Sequence, residues 1–254
     1  MPIDRLELLG LPCHAATAES ARDFAIEAVA ERTPRRVLFM NASKVVEART
    51  DPRLRAALEG ADLVGADGQS IVWAGKLLGE DVPWRMAGVD YMQDVLREAD
   101  RRRWRVFLLG STDATLAAVE RYCAENLPGA VIAGRHDGFF APERDAEVAD
   151  LIRASEADVL FIGMPSPRKE LWLDAQYARA GVPLAIGVGG SYEVLVGNVR
   201  RAPRLWQRLG LEWFYRFLQE PRRLFRRYAR TNSLFLALLA REWGRRRLRP
   251  ASGS

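Results

Sequence analysis

The stretch "ADLVGADGQS", residues 61–70, sets a carboxylate, Asp67, directly after a short apolar run and before a glycine. At the carboxyl end of a strand such a group can act as a general base, taking the proton from a hydroxyl held in the cleft. Asp is also a good helix N-cap, because its side chain accepts from a backbone N–H of the first turn. Both readings fit Asp67. Asn41 closes an earlier apolar run, "RRVLFMN", and can face the same cleft. "PWRMAGVDYM" (83–92) sets Arg85 and Asp90 around Gly88, either as a surface charge and a helix cap or as two polar groups of the site. Glycines follow the apolar runs at Gly68, at Gly110 with Ser111, at Gly163, and at Gly187, Gly189 and Gly190. Glycine lets backbone approach a ligand, and a helix N-terminus behind it offers free N–H groups to phosphate. Any one of these glycines suits a tight turn and nothing more. Four such ends on one sheet edge favour a phosphate-bearing ligand.

The elements that would position these groups alternate. Strand-like runs at 35–41, 62–68, 104–111, 130–140, 157–167 and 183–191 are separated by helical stretches such as "DATLAAVERYCAEN" and "RKELWLDAQYARAG". This order predicts an α/β fold: a Rossmann-like, mostly parallel sheet with helices on both faces, over residues 1–198. Residues 199–254 form a C-terminal basic, amphipathic helical appendage. In an open sheet of this kind the ligand sits beyond the carboxyl ends of the strands.

Several chemistries lose their warrant. "GVGGSY" has Tyr192 where a dinucleotide fingerprint needs glycine, and no P-loop pattern occurs. Two histidines, His14 and His136, exclude a His-rich metal site, and no Asp-x-Asp pair is present to hold a divalent cation. Two cysteines, Cys13 and Cys123, read as buried thiols of a reducing compartment. The N-terminus lacks the apolar core of a signal peptide, and the longest apolar run in the tail, seven residues at 234–240, is far short of a membrane span.

The formal net charge of +5 hides an asymmetry. From residue 199 onward there are 15 Arg and three Glu, a balance of +12, which leaves 23 basic and 30 acidic residues, or −7, for the body. Arginine binds phosphate bidentately, so the tail predicts an anionic partner. Pro221 divides it into two helical pieces. In the second, Leu224, Tyr228, Phe235 and Leu239 share a face, the pattern of a helix lying on a membrane surface. A helix packed on the body is the other reading, kept for the first piece. Nucleic acid is a rival partner for arginines with aromatics, against which stand the acidic body and the absence of a recognition motif.

Six ordered motifs, "NASKVVEARTDPRLRAALEGADLVGADGQSIVWA", "RMAGVDYM", "VFLLGS", "ADVLFIGMPSPRKELW", "GVGGSYEVLVGNVRRAP" and "GLEWFYRFLQEPRRLFRRY", resemble the WecG/TagA/CpsF glycosyltransferases across roughly Asn41 to Tyr228. The resemblance implies transfer of a hexose-type sugar (N-acetylmannosamine-like, another hexose or a uronic acid) from a UDP-sugar to a polyprenyl-diphosphate-linked saccharide. It further implies inversion at the anomeric carbon, neither metal nor cofactor, and a place on the cytoplasmic face of the cell membrane. Asp67 falls on the family's base, and Arg216, Arg222, Arg223 and Arg226 on the arginines that reach over its active site. Asn41, Gly68, Arg85, Asp90, Gly110, Ser111, Gly163, Lys169, Glu170, Gly189, Gly190 and Arg201 are the remaining substrate-binding candidates, with Glu193 beside the last glycine turn. The chain departs from the pattern twice. Phe39 stands where relatives often carry Thr, and Lys169 stands where they often carry Gln, in Pro167-Arg168-Lys169-Glu170. An inactive membrane-associated scaffold is the alternative these departures leave, and a shared apolar face would allow a homo-oligomer.

Overall fold

The computed structural model describes residues 3–208, 210–219 and 221–248. Its centre is a six-stranded parallel sheet of β3 (Arg35–Met40), β4 (Leu63–Ala66), β5 (Arg105–Gly110), β6 (Val131–His136), β7 (Val159–Gly163) and β8 (Leu184–Ile186). The spatial order is β4-β3-β8-β7-β5-β6. These strands read as nearly unbroken apolar runs because successive residues enter two different cores. On one face Leu38, Met40, Val64, Phe107, Leu109, Leu160 and Ile162 are covered by α2 (Ala42–Glu47), α3 (Pro52–Glu59), α4 (Gln69–Leu78), α7 (Asp145–Ala154) and α8 (Arg168–Ala180). On the other, Val37, Phe39, Leu63, Val106, Leu108, Val159 and Phe161 meet α1 (Ala18–Ala30), α5 (Gly88–Arg102), α6 (Asp113–Asn126) and α9 (Ser191–Leu195).

Local chemistry sets the helix starts. Thr17 and Ser20 form a capping box on α1, Asp51 caps α3 with Pro52 in its first turn, and Thr112 caps α6. The chain runs from β3 outward to β4, crosses to β5 and β6 at the other edge, and returns through β7 to β8 beside β3. Leaving β3, it enters α2 on the first face. Leaving β8, it enters α9 on the second. This divergence between neighbouring strands opens the crevice in which α/β folds bind ligands.

A two-stranded hairpin, β1 (Arg5–Leu8) and β2 (Leu11–His14), precedes the sheet. The sequence reading had assigned no element there. Its two-residue turn has Leu9 at φ 56 and Gly10 at φ 75, the positive pair of a type I′ hairpin. The hairpin guards the sheet's open side: His14 Nδ1 accepts from the outward N–H of Val64 on edge strand β4, at 2.9 Å. Burial first, then the charge of Arg5, pull His14 down to about 4, so the ring stays a neutral acceptor. Cys13 and Cys123 are buried and unbridged, and burial pushes their thiols up to about 12 and about 11.

The appendage contains α10 (Arg204–Arg208), α11 (Glu212–Gln219) and α12 (Pro221–Leu248), and the division expected at Pro221 adjoins residue 220, which lies outside the described residues. One expectation is corrected here. Phe235, assigned to a membrane-facing stripe, is 4% exposed in the body's core, and Leu238, Leu239 and Trp243 pack against that core with it. Arg246 completes the docking by donating to the Leu78 carbonyl at 2.7 Å and to Glu80 at 2.6 Å, at the C-terminal end of α4. Leu224 and Tyr228, the other two residues of that stripe, have side chains outside the described residues. None of the described helices is long and apolar enough to cross a membrane.

Candidate active site

The carboxyl ends of β4, β3, β8, β7 and β5 meet along one edge. Met40 is in register with Ala66, so Asn41 and Asp67 leave neighbouring strands side by side, joined where Asp67 N–H donates to the Met40 carbonyl at 2.8 Å. Asp67 is half-buried, and the N-cap position of α4 falls one residue after it. Gly68 takes that position at φ 118, a conformation open to glycine, and has no side chain with which to cap. Asn41 does act as a cap: its Oδ1 accepts from Lys44 N–H at 3.1 Å and starts α2. Asn41 is thus an N-cap, a role not foreseen for it, and Asp67 lies one residue before one.

The glycines divide into two kinds. A Cβ on Gly110 would lie 2.5 Å from the Gly163 carbonyl carbon, and one on Gly163 would lie 2.3 Å from the Tyr192 ring. These two are glycine because the ends of β5 and β7 press on each other and on α9. Ligand approach, expected for them from sequence, is not what their size serves. Gly189, at φ 57, and Gly190 are different, since a Cβ on Gly190 would meet nothing within 4 Å. The turn after β8 is thus the open one.

Ser111, at φ 55, donates its hydroxyl to Glu193 Oε1 at 2.6 Å. Thr115 donates to the same oxygen at 3.0 Å and Asn198 to Oε2 at 2.8 Å. Burial works against the Glu193 carboxylate, but these hydrogen bonds outweigh it and hold the group below its ordinary range. With its proton committed to Glu193, the Ser111 hydroxyl faces any ligand as an acceptor.

Lys169 and Glu170 are buried in the first turn of α8, and the structure adds a partner that the sequence reading missed, Lys44. Lys44 Nζ and Lys169 Nζ both reach Glu170 Oε1, at 2.7 and 2.6 Å, and Lys44 also donates to the Phe39 carbonyl. No local sequence signal marks Lys44, because its pairing with Glu170 spans more than a hundred residues. The Phe39 side chain faces the opposite core. Its ring packs against Tyr91, over Gly65 and Gly88, so position 39 offers the crevice no hydroxyl, and its carbonyl is taken by Lys44 Nζ.

Arg85, Asp90 and Arg201 are brought together, but with one another. Arg201 pairs with Asp90 through both terminal nitrogens and with Glu212 at 3.1 Å, and Arg85 reaches Glu212 at 2.7 Å. The four charges cancel and fasten the start of the appendage to the body. Arg216, Arg222, Arg223 and Arg226 have side chains outside the described residues. Among the described residues no three His, Cys, Asp or Glu side chains converge as metal ligands.

The Glycosyl transferase WecG/TagA/CpsF family pattern matches residues 6–249. The chain belongs to this family. It is therefore a glycosyltransferase. A curated relative from Bacillus spizizenii, an N-acetylglucosaminyldiphosphoundecaprenol N-acetyl-beta-D-mannosaminyltransferase, is 37% identical over 177 residues, covering 70% of this chain and 68% of the relative.

Proposed function

We propose that this glycosyltransferase moves a hexose-type sugar from a UDP-sugar to a polyprenyl-diphosphate-linked saccharide, by metal-independent displacement with inversion, in cell-surface polysaccharide synthesis. The observation that carries the reading is the half-buried carboxylate of Asp67 at the carboxyl end of β4, beside Asn41 at the end of β3. The acceptor hydroxyl oxygen attacks the anomeric carbon as the bond to the donor's β-phosphate oxygen breaks. Asp67 takes the hydroxyl proton, and UDP departs with the bonding pair. Charge develops on the leaving diphosphate, and cations at the open β8 turn, with the appendage arginines, are suited to stabilise it. The relative's name supports a lipid-diphosphate acceptor, because that enzyme's acceptor is an undecaprenyl diphosphate saccharide.

Such an acceptor lives at a membrane. The appendage exposes Leu205, Trp213, Phe214, Leu218, Leu234 and Leu236, near exposed Trp73 and Leu77 of α4. Apolar side chains among many arginines suit an anionic leaflet, so the protein docks peripherally at the inner face of the cell membrane. Serine at Trp213, Leu218 and Leu234 together should abolish flotation with anionic liposomes. Retained flotation would move docking elsewhere.

The deciding experiment offers a panel of UDP-sugars with a polyprenyl-diphosphate-GlcNAc acceptor in EDTA, read by mass spectrometry. A positioned base contributes about 10²–10⁴-fold in rate. Asp67→Asn should lose about that much in kcat and keep its UDP affinity. A variant as active as the parent would return Asp67 to a structural role.

A further inference from the structure

Lys44, Lys169 and Glu170 are 4%, 5% and 0% exposed, and together they bury two ammonium groups against one carboxylate. Buried charges in proteins are ordinarily paired one to one, because an uncompensated ion loses its hydration for nothing. Here both cations converge on Glu170 Oε1, while Oε2 is buried with no hydrogen-bond partner. Lys44 has a second acceptor in the Phe39 carbonyl. Lys169 uses one of its three N–H donors, on Glu170, and has no other partner among the described residues. The surplus charge therefore resides at Lys169.

Its location is specific. Lys169 Nζ lies 4.0 Å from where a Cβ on Gly189 would stand, and its Cε lies 3.5 Å from the same point on Gly187. The ammonium sits beside the glycine turn after β8, where a Cβ on the next residue, Gly190, would meet nothing within 4 Å. Burial first, and then the neighbouring Lys44, pull Lys169 down to about 8. Burial and Lys44 work against its charge, and a further anion at the turn would favour it.

We propose that Lys169 is a specificity-determining contact for the donor, its ammonium taking an anionic oxygen presented at the β8 turn. The proposal rests on the UDP-sugar reading above. Two parts of one donor carry that chemistry: a phosphoryl oxygen of the diphosphate, and the carboxylate of an acidic sugar. No bond forms or breaks at Lys169.

The test is calorimetric titration of the full chain, Lys169→Gln and Lys169→Met with UDP, UDP-N-acetylglucosamine and UDP-glucuronate. Both variants leave Glu170 paired with Lys44, and thermal melts check that they fold. The proposal expects at least tenfold weaker binding of an anionic probe by both variants. A loss shared by all three ligands assigns the contact to the diphosphate. A loss confined to UDP-glucuronate assigns it to a sugar carboxylate. Unchanged affinities for every ligand that the parent binds would overturn the proposal and leave the donor reading standing. A parent that binds none of the three would overturn the donor reading and this proposal with it.

Discussion

Two charged clusters flank the crevice, built from similar groups to different ends. Around Asp90, two arginines face two carboxylates, every charge is answered, and the members keep 15–33% of their side-chain exposure. Around Glu170, two lysines face one carboxylate, almost wholly out of water. The first is a fastening, in which each new contact removes a cost. The second retains a cost, since a buried positive charge without a counter-ion is destabilising unless something arrives to meet it. Balance marks the structural cluster, and imbalance marks the one placed to bind.

The largest effect should come from removing the only anion of the unbalanced cluster. Glu170→Gln leaves two ammonium groups facing each other in the interior, and breaking a buried pair in this way costs about 3–5 kcal/mol. Urea denaturation should show that loss, and Lys169→Met added to Glu170→Gln should recover much of it. A Glu170→Gln protein as stable as the parent would mean that water reaches the cluster, and the contrast between the two groups would disappear.

Breaking the balanced cluster should cost less. Asp90→Asn keeps the shape and removes the charge that Arg201 grips with two hydrogen bonds, for which about 1–3 kcal/mol is the usual loss. The expected sign is local: proteolysis between residues 199 and 211 should accelerate before the body unfolds. Uniform loosening of the whole chain would show that the four charges are not a local fastening.

The frame was legible because its signals are local. The six parallel strands coincide with the six apolar runs, since strands buried on both faces need apolar residues at every position. The hairpin was not seen, because its turn is Leu9-Gly10 and a leucine at positive φ is a poor turn signal. At the site, sequence set Asp67 and Asn41 at strand ends facing one cleft and offered the helix cap for Asp67, where the structure gives one to Asn41. It placed Arg85, Asp90 and Arg201 in a site without showing that Glu212 neutralises the arginines. Lys44 was hidden because its burial depends on Glu170, more than a hundred residues away. Pairings across such separations are set by topology, and no local pattern carries them.

The smallest effect tests the imbalance most directly. An amine whose pKa is lower in the folded chain than in the unfolded one binds fewer protons when folded, so its burial opposes folding while it is charged. For Lys169, drawn from the ordinary 10.5 to about 8, that penalty is full below about 8 and is relieved as pH rises toward 10.5. The fall from 10.5 to about 8 corresponds to a ceiling of about 3 kcal/mol. A glutamine in its place carries a burial cost of its own, which offsets much of this gain. Lys169→Gln should therefore be about 1 kcal/mol more stable than the parent at pH 7, with the difference closing near pH 9 and reversed in sign by pH 10. Titration of Cys13, Cys123 and the buried tyrosines is common to both proteins and cancels in that difference. Lys44 and Glu170 are the charged groups that face Lys169, and the Lys44–Glu170 pair is intact in the variant. A difference that stayed constant from pH 7 to 10 would mean that the ammonium is already compensated within the fold. The Glu170 cluster would then be a fastening like the one around Asp90.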